Sequence, residues 1–199
     1  MKIKSHIAIL FLLSLFLANC SYFGKKIDYG EVKDDVYSNA FFNFSMNIPN
    51  GWVLSKELMD EINKTVFVDD NKEMNVLNKN TTYLLTVFLS EFIPENNTFN
   101  PCLEIAAINL KAVPKLKTEL EAIPNSQTVI PKAEFYDYVV FDRETINGIE
   151  FYLRETVAGS IQKCYVIILN DFALCFSISF ADKEQEDILM QSIKSIKFN

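Results

Sequence analysis

The sequence predicts an α+β protein: a twisted antiparallel sheet of about six strands, ending in a C-terminal meander, with helices packed on it. Three observations carry that expectation. Four strand-like runs crowd the last third of the chain with only one or two residues between them. The stretch from Phe41 to Ile48 alternates apolar and polar side chains, and Asp182 opens a final amphipathic segment.

Taken in order, Phe42, Phe44, Met46 and Ile48 alternate with Asn43, Ser45 and Asn47, the period of a strand with one buried face. Pro49-Asn50-Gly51 stops it with turn chemistry, and the single tryptophan, Trp52, follows. Ser55 can cap a short helix carrying Leu58, Met59 and Ile62 on one face. Asp69 to Glu73 reads as a loop. Thr82 to Ile93 reads as a strand with Tyr83, Leu85, Val87 and Leu89 on one parity, ended by Pro94. Cys102 to Val113 reads two ways: Leu103, Ile105 and Ala107 alternate as in a strand, while the Ala106-Ala107-Ile108 stretch tolerates a helix. Pro114 then opens a short helix through Ala122, because the first helical position needs no amide donor.

The meander consists of Phe135 to Ile146, Ile149 to Ala158, Ser160 to Leu169 and Phe172 to Phe180. Asn147-Gly148, Gly159 and Asn170-Asp171 join them, and Asn-Gly suits a turn whose two central residues both need positive φ. Connections this short join only antiparallel neighbours. Asp182 and Gln185 have the spacing of a capping box, and Ile188, Leu189, Ser192, Ile193 and Ile196 give the last helix a face for the sheet.

A resemblance emerges from these pieces. Phe44-Ser-Met-Asn-Ile-Pro-Asn-Gly-Trp52, a Phe-containing strand ending in Pro-x-Gly-Trp, is similar to the opening of PsbP-like domains. Gly148-Ile-Glu-Phe, the hairpin at Asn170-Asp171 and the helix ending in Ser192-Ile193-Lys-Ser-Ile196 resemble the same group. The resemblance spans residues 41–198 and implies a PsbP-like body over residues 40–199 with an adaptor or assembly role rather than catalysis. It brings no binding residues with it, since no functional motif of the group is matched.

The first 19 residues read as an export leader. Lys2 and Lys4 precede an apolar run from Ile7 to Leu17, which is far shorter than the roughly 20 residues that cross a bilayer. Leu17-Ala18-Asn19-Cys20 resembles the lipobox of bacterial lipoproteins, with Asn19 where a small residue is usual. The resemblance implies a diacylglyceryl group on the Cys20 thiol and cleavage before it; the alternative is ordinary signal-peptidase cleavage and release of the protein. Lipidation would hold the protein to a membrane without help from its surface charge. Ser21 is not the Asp that favours inner-membrane retention in enteric bacteria, which points to the outer membrane. Residues 20–39 read as the lipidated cysteine and a polar tether, or alternatively with Val32 to Tyr37 as a first strand or turn on the body.

Charge and composition exclude several functions. The chain carries 19 basic and 26 acidic side chains, a formal −7, which does not suit a phosphate-rich nucleic-acid partner. Loss of residues 1–19 removes Lys2, Lys4 and His6, the single histidine, so the mature charge is −9 and no imidazole remains for a triad, a His-ligated zinc or a histidine pH switch.

Candidate chemistry is sparse. Cys164 and Cys175 lie on the two arms of the Asn170-Asp171 hairpin, either opposed or diagonal, and in an exported protein could form a disulfide or serve as small buried hydrophobes, with Cys102 left over. Asp69, Asn71 and Glu73 have calcium-loop spacing, but Met74 and Asn80 stand where Gly and Glu are needed, so a solvated loop is the expectation. Glu144, Glu150 and Glu155 sit near Arg143 and Arg154 as cross-strand ion pairs, with a carboxylate-only enzyme as the lesser alternative. Tyr136 and Tyr138 share one strand face. The five glycines are scattered singly, leaving no phosphate loop. The sequence thus predicts an envelope lipoprotein, or alternatively a secreted interaction protein, with no metal or cofactor. Its body would be non-catalytic, and its partners would be the membrane, through the anchor, and another envelope protein.

Overall fold

The computed structural model describes residues 27–54, 60, 63–64, 72–90, 99–123, 128–133 and 136–199. Within them lie twelve strands in two antiparallel sheets. The smaller sheet holds β1 (Glu31–Lys33), β2 (Val36–Asn39), β3 (Phe44–Asn47) and β12 (Lys197–Phe198), in the order β1-β2-β3-β12. The larger holds β4 (Val53–Leu54), β5 (Thr81–Phe88), β6 (Cys102–Asn109), β7 (Thr128–Ala133), β8 (Tyr136–Ile146), β9 (Ile149–Val157), β10 (Ile161–Leu169) and β11 (Phe172–Phe180). Its order is β4-β5-β6-β11-β10-β9-β8-β7. Three helices accompany them: α1 (Lys72–Lys79), α2 (Pro114–Glu121) and α3 (Lys183–Lys194).

The α+β, mostly antiparallel architecture is as expected, but the expected six strands become twelve. Short edge strands account for much of the difference. β4 and β12 are two residues each, too brief to show a period, and β7 contains Pro131, which an edge strand tolerates because one side of it has no partner strand among the described residues.

The meander forms with the expected turns. β8, β9, β10 and β11 pair in sequence, and Asn147 and Gly148 both have positive φ, 53° and 78°. The ambiguous segment after Cys102 is a strand, β6, which sits centrally between β5 and β11. Its alternation wins over the alanine-rich stretch because both edges of β6 find partners. Pro114 opens α2, and Asp182 caps α3 by accepting from the Gln185 amide at 2.9 Å while the Gln185 side chain accepts from the Ala181 amide at 2.8 Å.

The tether expected over residues 20–39 does not reach residue 39. β1 and β2 form a hairpin, and β2 pairs along β3. Tyr37, 1% exposed, donates its hydroxyl to the Tyr29 carbonyl, and the Asn39 side chain donates to the Asp28 carbonyl and accepts from the Phe42 amide. Gly30 has φ 73°, and a Cβ there would stand 2.4 Å from the Ser38 carbonyl oxygen, so only glycine fits. Polar composition hid a segment that is fastened by hydrogen bonds rather than by an apolar stripe.

The main core lies between the two sheets. Phe44 meets Phe176 edge to face at 5.3 Å, and Phe41 and Phe42 both pack on Phe172. Leu189, Ile193 and Ile196 from α3 and its C-terminal end join Leu103, Ile105, Leu174, Phe176 and Ile178 in the same cluster. Phe42, Phe44, Met46 and Ile48 are all buried, as their alternation requires. The helix expected to start at Ser55 falls largely outside the described residues, as do Asp69 and Asn71; Glu73, expected in a loop, lies in α1.

Candidate functional site

The large sheet has two unlike faces. Its inner face carries Leu103, Ile105, Ala107, Leu174, Phe176 and Ile178 under the small sheet and α3. Alternate residues of the same strands point the other way, and register lines them up in rows. Thr86, Glu104, Ser177, Cys164, Arg154 and Phe141 are successive partners across β5, β6, β11, β10, β9 and β8. On one side of this row stands a second polar one, Cys102, Ser179, Gln162 and Thr156. On the other side the rows turn apolar: Ala106, Cys175, Val166 and Tyr152, then Ile108, Ala173 and Ile168.

Helix α2 covers the apolar rows. Leu116, Leu120 and Ile123 pack with Ile108, Val166, Ala173 and Cys175 in a second cluster. The Arg143 guanidinium holds the end of this helix, donating to the Ile123 carbonyl at 3.0 and 2.9 Å while stacking 4.8 Å from the Tyr152 ring and pairing with Glu150 at 2.9 Å. Between helix and sheet remains a cavity of about 630 Å³, walled by both clusters of rows and by Leu77 and Asn78 of α1. A shallower recess of about 430 Å³ adjoins it between α1 and α2, sharing Leu77, Leu116 and Glu119.

A β-bulge shapes one wall. The β5–β6 register shifts between Tyr83 and Leu85, so Tyr83 faces the cavity whereas Leu85 and Val87 face the inner core. The single parity expected for Tyr83, Leu85, Val87 and Leu89 is therefore broken by one extra residue. Leu89 falls beyond β5 and is exposed.

Glu104 is the acid on the cavity floor. Burial pushes its carboxyl up to about 7, because the charged form loses water without gaining a compensating partner. Burial likewise pushes Tyr83 up, with the nearby Glu104 charge adding to it, and takes the Cys102 thiol to about 11 against a hydrogen bond with Ser179.

Cys164 and Cys175 are free thiols in diagonal positions: Cys164 stands opposite Ser177, and Cys175 opposite Val166. Of the two arrangements open to the pair, opposed or diagonal, the diagonal one is formed. The two thiols share a hydrogen bond that lowers Cys164 and raises Cys175. Cys102 is likewise free and lies on the same face near the polar end.

The three glutamates singled out in sequence do not converge. Glu150 pairs with Arg143 on the outer face. Glu155 pairs with Lys163 at 3.5 Å and accepts from the Tyr138 hydroxyl at 3.4 Å, while Glu144 hydrogen-bonds Tyr165, whose pKa is raised by burial and then by Glu144. Lys163 also meets Glu186 of α3 at 2.6 Å. Burial alone would lower the Lys163 pKa, but Glu186 and Glu155 together raise it. These contacts fasten α3 to the sheet. Among the described residues no three His, Cys, Asp or Glu side chains gather as a metal site. Cys20 and the side chain of Tyr136 lie outside the described residues.

Sequence reasoning passed over Glu104. Its signal was present: it is the single charge in Cys102-Leu-Glu-Ile-Ala-Ala-Ile-Asn-Leu110, a run otherwise fit for a buried strand. No family model matches the chain, and no curated protein matches it.

Proposed function

We propose that the mature protein is a lipid-anchored, non-catalytic binding domain of a bacterial cell envelope, tied to the membrane through Cys20 and engaging another envelope component in the cleft under α2. The observation that carries the reading is the cleft itself: about 630 Å³ with mostly apolar walls and a few converging polar groups, the usual anatomy of a binding site. The lipobox-like Leu17-Ala18-Asn19-Cys20 supports the anchor, and the Phe44 to Trp52 strand and turn support a PsbP-like body. The outer membrane is the proposed location, from Ser21 after the cysteine. Glu104 has Ser177 and Thr86 beside it in its row, and the second acid of the lining, Glu119, is paired with Lys115, which supports holding a molecule rather than shuttling protons between two acids.

The polar Asn19 favours a second outcome, cleavage by ordinary signal peptidase and release of the protein. Intact mass of the protein from its own cells separates the two. An N-terminal Cys20 bearing acyl chains, with palmitate label incorporated, supports the anchor; an unmodified N-terminus at Ser21 contradicts it.

A further inference from the structure

We infer that the cleft takes a single-chain amphiphile with a carboxylate head, the head on Arg154 at the polar end and the chain between α2 and the aliphatic rows of the sheet. The inference rests on the binding role proposed above and gives it a ligand class.

The cavity has a polarity gradient. Along the outer face, Gln162, Thr156, Ser177, Glu104 and Arg154 give way within one row to Ala106 and Val166, then to Ile108 and Ala173 beneath Leu116 and Leu120. A uniformly apolar ligand would leave the first group unsolvated, and a uniformly polar one would strand its own groups against the second. An amphiphile matches both halves. The rows of Glu104 and Ile108 are four residues apart on β6, about 13 Å at the strand repeat, which is the length of an extended dodecanoyl chain. The cavity volume, about 630 Å³, accommodates one such chain with its head group.

Charge points the same way. Among the described residues, the ionisable side chains that face Glu104 across the cavity are Tyr83 from β5, Cys175 from β11, Cys164 from β10, Tyr152 and Arg154 from β9 and Glu119 from α2, with Cys102 on its own strand; α1 contributes the uncharged Leu77 and Asn78. Glu119 has Lys115 at 3.6 Å. Arg154 is the cation among the described lining residues and is exposed at the cavity's edge, and a guanidinium receives a carboxylate in bidentate fashion. Glu104 stands three strands away in the same row. Its carboxyl, held near 7 by burial, is neutral in mildly acid solution and then offers a donor rather than a repelling charge. Above that pH its charge opposes a second anion in the cleft, so affinity falls as pH rises.

Calorimetric titration tests this with the full chain carrying Cys20→Ser, so that its own acyl groups do not compete. The probes are dodecanoate, dodecanol and dodecyltrimethylammonium. Dodecanoate is expected to bind at one site and at least tenfold more tightly than dodecanol, and Arg154→Gln to remove about that factor. Dodecanoate affinity in the parent chain should fall about fourfold from pH 6 to pH 8, and Glu104→Gln should flatten that dependence. Equal affinity for dodecanol, an unchanged Arg154→Gln, or preference for the ammonium probe overturns the carboxylate assignment while leaving a binding cleft in place. Failure of all three probes overturns the inference, and the anchored role then stands or falls on the acylation mass alone. A melting transition for each variant no lower than that of the parent shows that lost affinity is not lost folding.

Discussion

The two faces of the large sheet are made by the same strands and differ in almost everything else. Odd-numbered residues of β6 (Leu103, Ile105, Ala107) are wholly buried against the small sheet and α3, whereas Cys102, Glu104 and Ile108 between them are only partly covered. On β11 the same split separates Leu174, Phe176 and Ile178 from Ser177 and Ser179. The inner face is closed by aromatic packing. The outer face is roofed over part of its length by one eight-residue helix, which leaves an acid and a cavity beneath it. Period two lets one sequence build both surfaces.

The largest effect should come from the inner face. Phe176→Ala removes a ring that contacts Phe44 at 5.3 Å and Phe151 at 6.2 Å, and should destabilise the fold by about 3–5 kcal/mol in denaturant titration. A loss below about 1 kcal/mol would dissolve the distinction between the faces.

Next comes the half-buried acid of the outer face, where the expected change is a gain. The Glu104 carboxyl moves from an ordinary 4.5 to about 7 in the folded protein, so between those values the folded state binds more protons than the unfolded one. Stability therefore falls as pH rises through that window and stays lower above it, by about 3 kcal/mol at most. Glu104→Gln should accordingly stabilise the protein at pH 8 and change little at pH 4, as read from denaturation midpoints at both values.

A smaller loss is expected from the roof. Leu120→Ala trims a side chain that is 9% exposed and packs on Val166 and Ala173, and should cost about 2 kcal/mol while enlarging the cavity. The inner cluster should keep its near-ultraviolet signal. Smallest of all, Asp182→Ala removes the side-chain acceptor for the Gln185 amide and should cost about 1 kcal/mol, measured the same way.

The contrast between the faces also explains what the sequence disclosed. The meander was legible because Asn147-Gly148 and Asn170-Asp171 are strong local signals, and α3 because Asp182, Gln185 and its apolar face agree. The β1–β2 hairpin was obscured because its buried Tyr37 and Asn39 are held by hydrogen bonds to Tyr29 and Asp28, which no hydropathy pattern records. The Tyr83 parity failed at a bulge, a defect set by the partner strand rather than by β5 itself. The cleft was hidden for a related reason: Glu104, Ser177, Cys164 and Arg154 come from four strands, and only their register makes them neighbours. The residues on which the proposed leader and anchor rest, Lys2 to Cys20, are by contrast contiguous in the chain.

Whether the outer face is a binding surface can be read from the amide chemical shifts of the isotope-labelled protein while a lipid extract of its own envelope is added. Shifts are expected to concentrate at Glu104, Cys164, Val166, Cys175 and Ser177, with Leu103, Ile105, Phe176 and Ile178 moving little. Shifts confined to the small sheet, or none at the cleft at saturating extract, would contradict a binding role for that face.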